Sequence, residues 1–195
     1  MKQLWKQTVM GIIWGLVVMM ACEIITSITA IITAAGALVG SGETAVGFGA
    51  LTIIFFLGVI AGFVWFFINL SKFIPMQKND TDRAAISNVR LAYIIFIVGA
   101  VLAFIPVAGW IICLICDIAA YIILLLGFNS YSTSKALNET GRQGANLLKI
   151  YAILVLICAI LAIIPFVNII AIIGEIVALV LLFMGWSKVS VGIDE

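Results

Sequence analysis

Apolar residues fill this chain in six runs, near 8–38, 48–71, 86–105, 107–128, 147–164 and 167–187, and polar residues gather in the gaps between them. About 20 apolar residues in a helix cross a hydrocarbon core of roughly 30 Å, so each run predicts a transmembrane helix. The first run would reach roughly 46 Å at 1.5 Å per residue, so that helix must tilt, kink or project from the membrane. Runs three and four are separated only by a turn at Pro106, and runs five and six only by one at Pro165. A proline that removes a backbone donor between two apolar runs marks a tight hairpin. The expected fold is all-α, with six transmembrane helices in three tandem hairpins (8–72, 86–129 and 147–188) forming one transmembrane domain over 1–195.

The pattern also repeats. Asp117 and Glu175 recur at a spacing of 58, each in the middle of an apolar run and each framed as small-acid-x-x-small, by Cys116 and Ala120 and by Gly174 and Ala178. At the same spacing before Asp117, Gly58-Val59-x-x-Gly62 keeps the frame and loses the acid. Ala100 to Pro106 reads AVLAFIP and Ala159 to Pro165 reads AILAIIP. Phe67-x-Asn69-x-Ser71-Lys72 lines up with Phe183-x-Gly185-x-Ser187-Lys188 at twice the spacing. In the loops, Asp80-Thr81-x-Arg83 with Arg90 is matched at a spacing of 59 by Glu139-Thr140-x-Arg142 with Lys149. Three parallel hairpins around an axis along the membrane normal would produce this pattern.

Composition narrows the class. With 65% hydrophobic and 10% charged residues and a mean hydropathy of +1.33, the chain is far from the roughly 25% charged of soluble domains. An integral membrane protein is expected. The net charge of +1 comes without a basic stripe, which removes nucleic acid as a partner. All ten basic residues fall on the side that holds both termini, and among the charged residues only Glu43 falls on the other. Positive residues are retained on the cytoplasmic side during insertion, so both termini are expected there, with a bacterial cytoplasmic membrane as the location. Trp5 and Trp186 fit the inner headgroup belt and Trp110 the outer one. Met19-Met20-Ala21-Cys22 resembles a lipoprotein signal, but the apolar helix continues past Cys22, so it reads as a retained span.

Helices in lipid associate where small residues let backbones approach. Gly11, Gly15, Gly58, Gly62, Cys116, Ala120, Gly174 and Ala178 are the expected seams. The acids need a separate account. A carboxylate at mid-membrane costs about 2.5 to 3.5 kcal/mol on insertion scales, and no lysine or arginine lies at that depth to offset it. Asp117, Glu175 and, on a stripe of small and polar residues of the first helix, Glu23 therefore form a candidate buried polar or proton/cation site. They are either protonated and bonded between helices, with Tyr121 or Asn168 as partners, or they face water and carry a cation or proton.

Other chemistry is sparse. The chain has no histidine, which removes the commonest general base and a frequent metal ligand. Cys113-x-x-Cys116 has redox spacing but lies within a helix, where cysteine acts as a small apolar residue. The glycine-rich stretch 40–49 lacks the lysine of a phosphate-binding loop. Asp80-Thr81-Asp82 and Asn138-Glu139-Thr140 are expected to cap the helices that follow. Neither the Pro-x-acid-x-x-basic signature of mitochondrial carriers nor the Asn-Pro-Ala pair of aquaporins is present. No cofactor, metal or catalytic residue is expected. The leading functional expectation is a non-catalytic protein that acts by assembling in the membrane, as a homo-oligomer or beside another membrane protein. Its rival is a small proton- or cation-coupled transporter or channel.

Orientation is directly measurable. A fluorescent protein fused to either terminus should be bright and an alkaline phosphatase fused there inactive; active phosphatase at either end would contradict the positive-inside assignment.

Overall fold

The computed structural model describes residues 1–38, 42–103, 105–106, 108–161, 164 and 168–193, with side chains described for all of these but 42–45 and 168–172. Among these residues the structure is entirely helical: α1 (Lys2–Leu38), α2 (Gly42–Phe73), α3 (Asp80–Leu102), α4 (Gly109–Ser132), α5 (Glu139–Leu161) and α6 (Asn168–Ser190), with one 3-10 turn at Ile74–Met76. All six are long and apolar enough to cross a membrane, which is compatible with a multi-pass integral membrane protein. Pro165 and residues 40–41 of the glycine-rich stretch lie outside the described residues, as do the side chains of Glu43, Asn168 and Ala171.

The helices extend beyond the apolar runs on the side of the termini, and α3 to α6 stop short of them on the other. Polar caps explain the extension. Asn79 Oδ1 accepts from the backbone N–H of Asp82 at 2.7 Å, and Asn138 Oδ1 accepts from that of Gly141 at 2.9 Å. Each satisfies a helix-terminal donor that has no carbonyl partner. The cap of α3 is thus Asn79, one residue before the Asp80-Thr81-Asp82 stretch expected to supply it. Asp80 and Asp82 instead place negative charge in the first turn, where the helix dipole favours it. At the other end of each hairpin, Ser132 Oγ donates to Asn129 O at 2.8 Å and Ser190 Oγ to Ser187 O at 2.6 Å.

The chain divides into two compact units, Met1–Met10 with Leu70–Glu195, and Gly11–Asn69. In the first, α3 packs on α4, α4 on α5 and α5 on α6. The buried stripe of α4 runs Ala120, Leu124, Phe128, Tyr131, and that of α6 runs Ala178, Leu182, Trp186, Val189. Steps of four, four and three keep each stripe on one helix face. The two stripes match position for position at the spacing that separates Asp117 from Glu175. At their inner ends they meet an aromatic cluster. The ring of Phe73 lies 4.5 Å from Trp5, 5.9 Å from Trp186 and 6.4 Å from Tyr131, and Phe128 lies 6.2 Å from Trp186, mostly edge to face. Trp5 Nε1 donates to Val189 O at 2.8 Å. Trp5 and Trp186, expected on the headgroups, are therefore core residues, 3% and 0% exposed. Rings that can stack on one another and on buried helix faces gain more dispersion contact there than at the interface. Trp110 is exposed, as a belt residue must be.

The second unit is one long hairpin of α1 and α2. A Cβ on Gly15 would lie 2.6 Å from the backbone nitrogen of Phe66, and one on Gly62 would lie 2.6 Å from that of Met19. The two backbones touch at these steps. Thr26, Thr29 and Thr33 turn their hydroxyls to carbonyls four residues back at 2.7, 2.9 and 2.8 Å, which hides their donors from an apolar medium. Across the hairpin, Thr52 Oγ1 lies 2.9 Å from Thr29 Oγ1.

One contact recurs in all three hairpins. A Cβ on Gly58 would fall 2.6 Å from Cys22 Sγ, one on Gly99 would fall 2.7 Å from Cys116 Cβ, and one on Gly174 would fall 2.5 Å from Cys158 Sγ. The stretch of chain from Cys22 to Gly58 is about twice as long as those from Gly99 to Cys116 and from Cys158 to Gly174. The first hairpin thus has about ten more residues per arm beyond this level, roughly 15 Å of helix.

Glycine contacts give a graded stability series. Gly15→Ala and Gly141→Ala, whose Cβ would meet Phe66 N and Gly192 Cα at 2.6 Å, should each cost about 1–3 kcal/mol through overpacking. Gly47→Ala, with nothing within 4 Å, should be neutral or stabilise by about 0.5–1 kcal/mol through helix propensity. Thermal unfolding in one detergent checks the order.

Candidate buried polar site

The predicted acids occupy three different environments. Asp117 lies on α4 one turn before Ala120, at the outer end of the buried stripe, and is half-buried. Cys113 Sγ donates to its Oδ2 at 3.6 Å, a weak bond from a weak donor. Glu175 lies at the corresponding end of the α6 stripe, one turn before the fully buried Ala178, and is exposed. Glu23 is exposed on α1, within the Gly11–Asn69 unit. Each acid is the immediate neighbour of a residue in its own hairpin's Cys–Gly contact: Glu23 follows Cys22, Asp117 follows Cys116, and Glu175 follows Gly174.

Tyr121, one turn along α4 from Asp117, lies within electrostatic reach of the Asp117 and Glu175 carboxylates. Its ring packs edge to face on Phe96 of α3 at 4.8 Å, and Phe96 lies 6.0 Å from Tyr93. Tyr93 on α3 and Tyr151 on α5 are buried and share a hydroxyl–hydroxyl hydrogen bond, with Tyr121 close to both. Three tyrosine hydroxyls and two carboxylates therefore gather between the second and third hairpins. Tyr93 and Tyr151 went unflagged in the sequence, because a lone tyrosine in an apolar run reads as packing until its partner is known.

The remaining chemistry is that of packing. Cys116 packs against Gly99, and Cys113, Cys116, Cys22 and Cys158 are all free thiols, so Cys113-x-x-Cys116 holds no disulfide. No three His, Cys, Asp or Glu side chains among the described residues could hold a metal ion together. A deeper carboxylate lies elsewhere. Asp82, 2% exposed at the start of α3, accepts from Asn79 Nδ2 at 2.8 Å and from Ser134 Oγ. Its sequence signal is the Asn-x-x-Asp spacing of a reciprocal helix cap.

No protein-family model, curated protein or solved structure matches the chain. What the polar site does has to be argued from its geometry.

The tyrosine pair is testable by a double-mutant cycle. Tyr93→Phe and Tyr151→Phe should each lower stability by about 1 kcal/mol or more, because each leaves the other hydroxyl buried without its partner. The double variant should cost less than the sum of the two, since both hydroxyls then leave together. Chemical denaturation of the four proteins gives the coupling.

Proposed function

We propose that this protein is non-catalytic and works by assembling in the membrane, as a homo-oligomer or as a subunit beside another membrane protein. The observation that carries this reading is the exposure of Glu175 on the line of a buried stripe. Ala178, Leu182, Trp186 and Val189 are core, yet the same face ends in an exposed carboxylate. A carboxylate left against hydrocarbon costs about 2.5 to 3.5 kcal/mol, a cost that a covering helix with a hydrogen-bonding group removes. Glu23 presents the same problem on α1. The protein is further read as three copies of one hairpin unit with both termini cytoplasmic. The recurring Cys–Gly contact, the paired serine bonds of Ser132 and Ser190 and the one-sided distribution of basic residues support that architecture.

One observation favours a second reading, a proton or cation path. Asp117 and Glu175 both act on Tyr121, and each hairpin places one acid beside its Cys–Gly contact. Carboxylates within a membrane-spanning bundle are a familiar way to hold a proton or cation.

Two measurements on the same preparation separate the readings. On the assembly reading, wild type in lipid nanodiscs is oligomeric or co-purifies with a fixed membrane partner, Glu175→Ala weakens that association, and proteoliposomes show no flux above empty vesicles. A monomer whose proton or cation flux disappears in the folded Asp117→Asn, Glu175→Gln variant would sink assembly and establish the path.

A further inference from the structure

A cavity of about 230 Å³ opens where the start of α3 meets the end of α4, lined by Asn79, Thr81, Asp82, Thr133, Ser134 and Lys135 among others. It lies at the ends of two helices that are long and apolar enough to cross a membrane, where a span's headgroup region begins. Asn79 Nδ2 and Ser134 Oγ both donate to Asp82 Oδ2. Thr133 Oγ1 donates to Ser130 O at 2.8 Å. One N–H of Asn79 and the hydroxyls of Ser134 and Thr133 are thereby committed, while Asp82 Oδ1, which has no protein donor among the described residues, and the oxygen lone pairs of Thr133 are left as acceptors for an occupant. Thr81, whose hydroxyl is committed to no bond among the described residues, can also accept. Asp82 is 2% exposed and forms no ion pair among the described residues. Buried charges are ordinarily paired, and the first-turn dipole of α3 offsets only part of this one.

We propose that this cavity binds a primary ammonium group, with Asp82 as counter-charge and the threonine hydroxyls as acceptors. Three N–H donors on one charged group match the free Asp82 oxygen and the hydroxyl oxygens beside it. A single carboxylate among hydroxyls suits a monocation better than a divalent metal, which recruits several carboxylates. The lining holds no aromatic ring, so nothing there favours a quaternary ammonium. Lys135 at the exposed rim supplies a cation for a phosphate attached to the amine. The amine can come from an ethanolamine phospholipid or from a free amine in solution.

The test uses the full chain in nanodiscs and has an arm for each source. In the first arm, nanodiscs hold equal phosphatidylethanolamine and phosphatidylcholine, and retained lipid is counted by native mass spectrometry. In the second, the nanodiscs hold phosphatidylcholine alone, and binding of soluble ethanolamine is compared with that of choline by calorimetry. The expected result is a roughly tenfold preference for the primary over the quaternary ammonium in at least one arm, the scale of one charge-assisted hydrogen bond. That preference should be lost in Asp82→Asn and reduced about threefold or more in Thr133→Val, an exposed site that does not depend on refolding the α3 cap. Preference only in the first arm assigns a lipid; preference in the second assigns a free amine. Equal binding of the two ammonium types in both arms, or a preference unchanged in whichever of the two variants folds, would overturn the proposal.

Discussion

Lipid tails are as apolar as leucine, so no hydrophobic drive presses membrane helices together, and their pairing depends on how closely two backbones can approach. In this protein every hairpin has a step at which one cysteine packs against one glycine: Cys22 with Gly58, Gly99 with Cys116, Cys158 with Gly174. In the second hairpin the glycine and cysteine exchange helices. What the contact conserves is thus the summed volume of the pair and the helix separation it permits, whichever helix supplies the larger side chain. Close approach lets Thr29 and Thr52 meet in the first hairpin and carries Gly141 onto Gly192 in the third.

Packing and polarity then divide along the helices of the Leu70–Glu195 unit. Toward the termini, Phe73, Phe128, Tyr131 and Trp186 join with Trp5 in a core of edge-to-face rings. Further out the buried stripes of α4 and α6 end in Asp117 and Glu175, with Tyr121 within electrostatic reach of both and the Tyr93–Tyr151 bond close to it. At 58 residues before Asp117 and Tyr121, the first hairpin carries Val59 and Phe63. The group of carboxylates and tyrosines therefore belongs to the second and third hairpins.

Helix number, type and pairing were legible because a span must be apolar for about 20 residues and a tight proline turn between spans has few alternatives. The spacing that relates Asp117 to Glu175 pointed to Gly58, Cys116 and Gly174, but their partners Cys22, Gly99 and Cys158 were not legible. The first hairpin has longer arms, so the step from Cys22 to Gly99 is wider than the step from Gly99 to Cys158, and a search at one spacing misses it. Trp5 and Trp186 misled for another reason. A tryptophan near a span's end obeys the interfacial preference on average, while these two sit where Phe73 gives them a partner. Asp117, Glu175 and Glu23 announced themselves by cost alone; which of them stays exposed depends on neighbouring helices that one-dimensional spacing does not reveal.

The most direct measurement is a swap within the second hairpin. Gly99→Cys places two cysteines at one step, and Cys116→Gly places two glycines there; each alone should lower the unfolding free energy by about 1–3 kcal/mol, through overpacking or through a void. Thermal or chemical unfolding in one detergent should find the double variant Gly99→Cys, Cys116→Gly restored to within about 0.5 kcal/mol of wild type, because it reproduces the arrangement of Cys22/Gly58 and Cys158/Gly174. A double variant that is no more stable than the sum of its two parts would contradict the claim that paired volume at this step sets the packing of each hairpin.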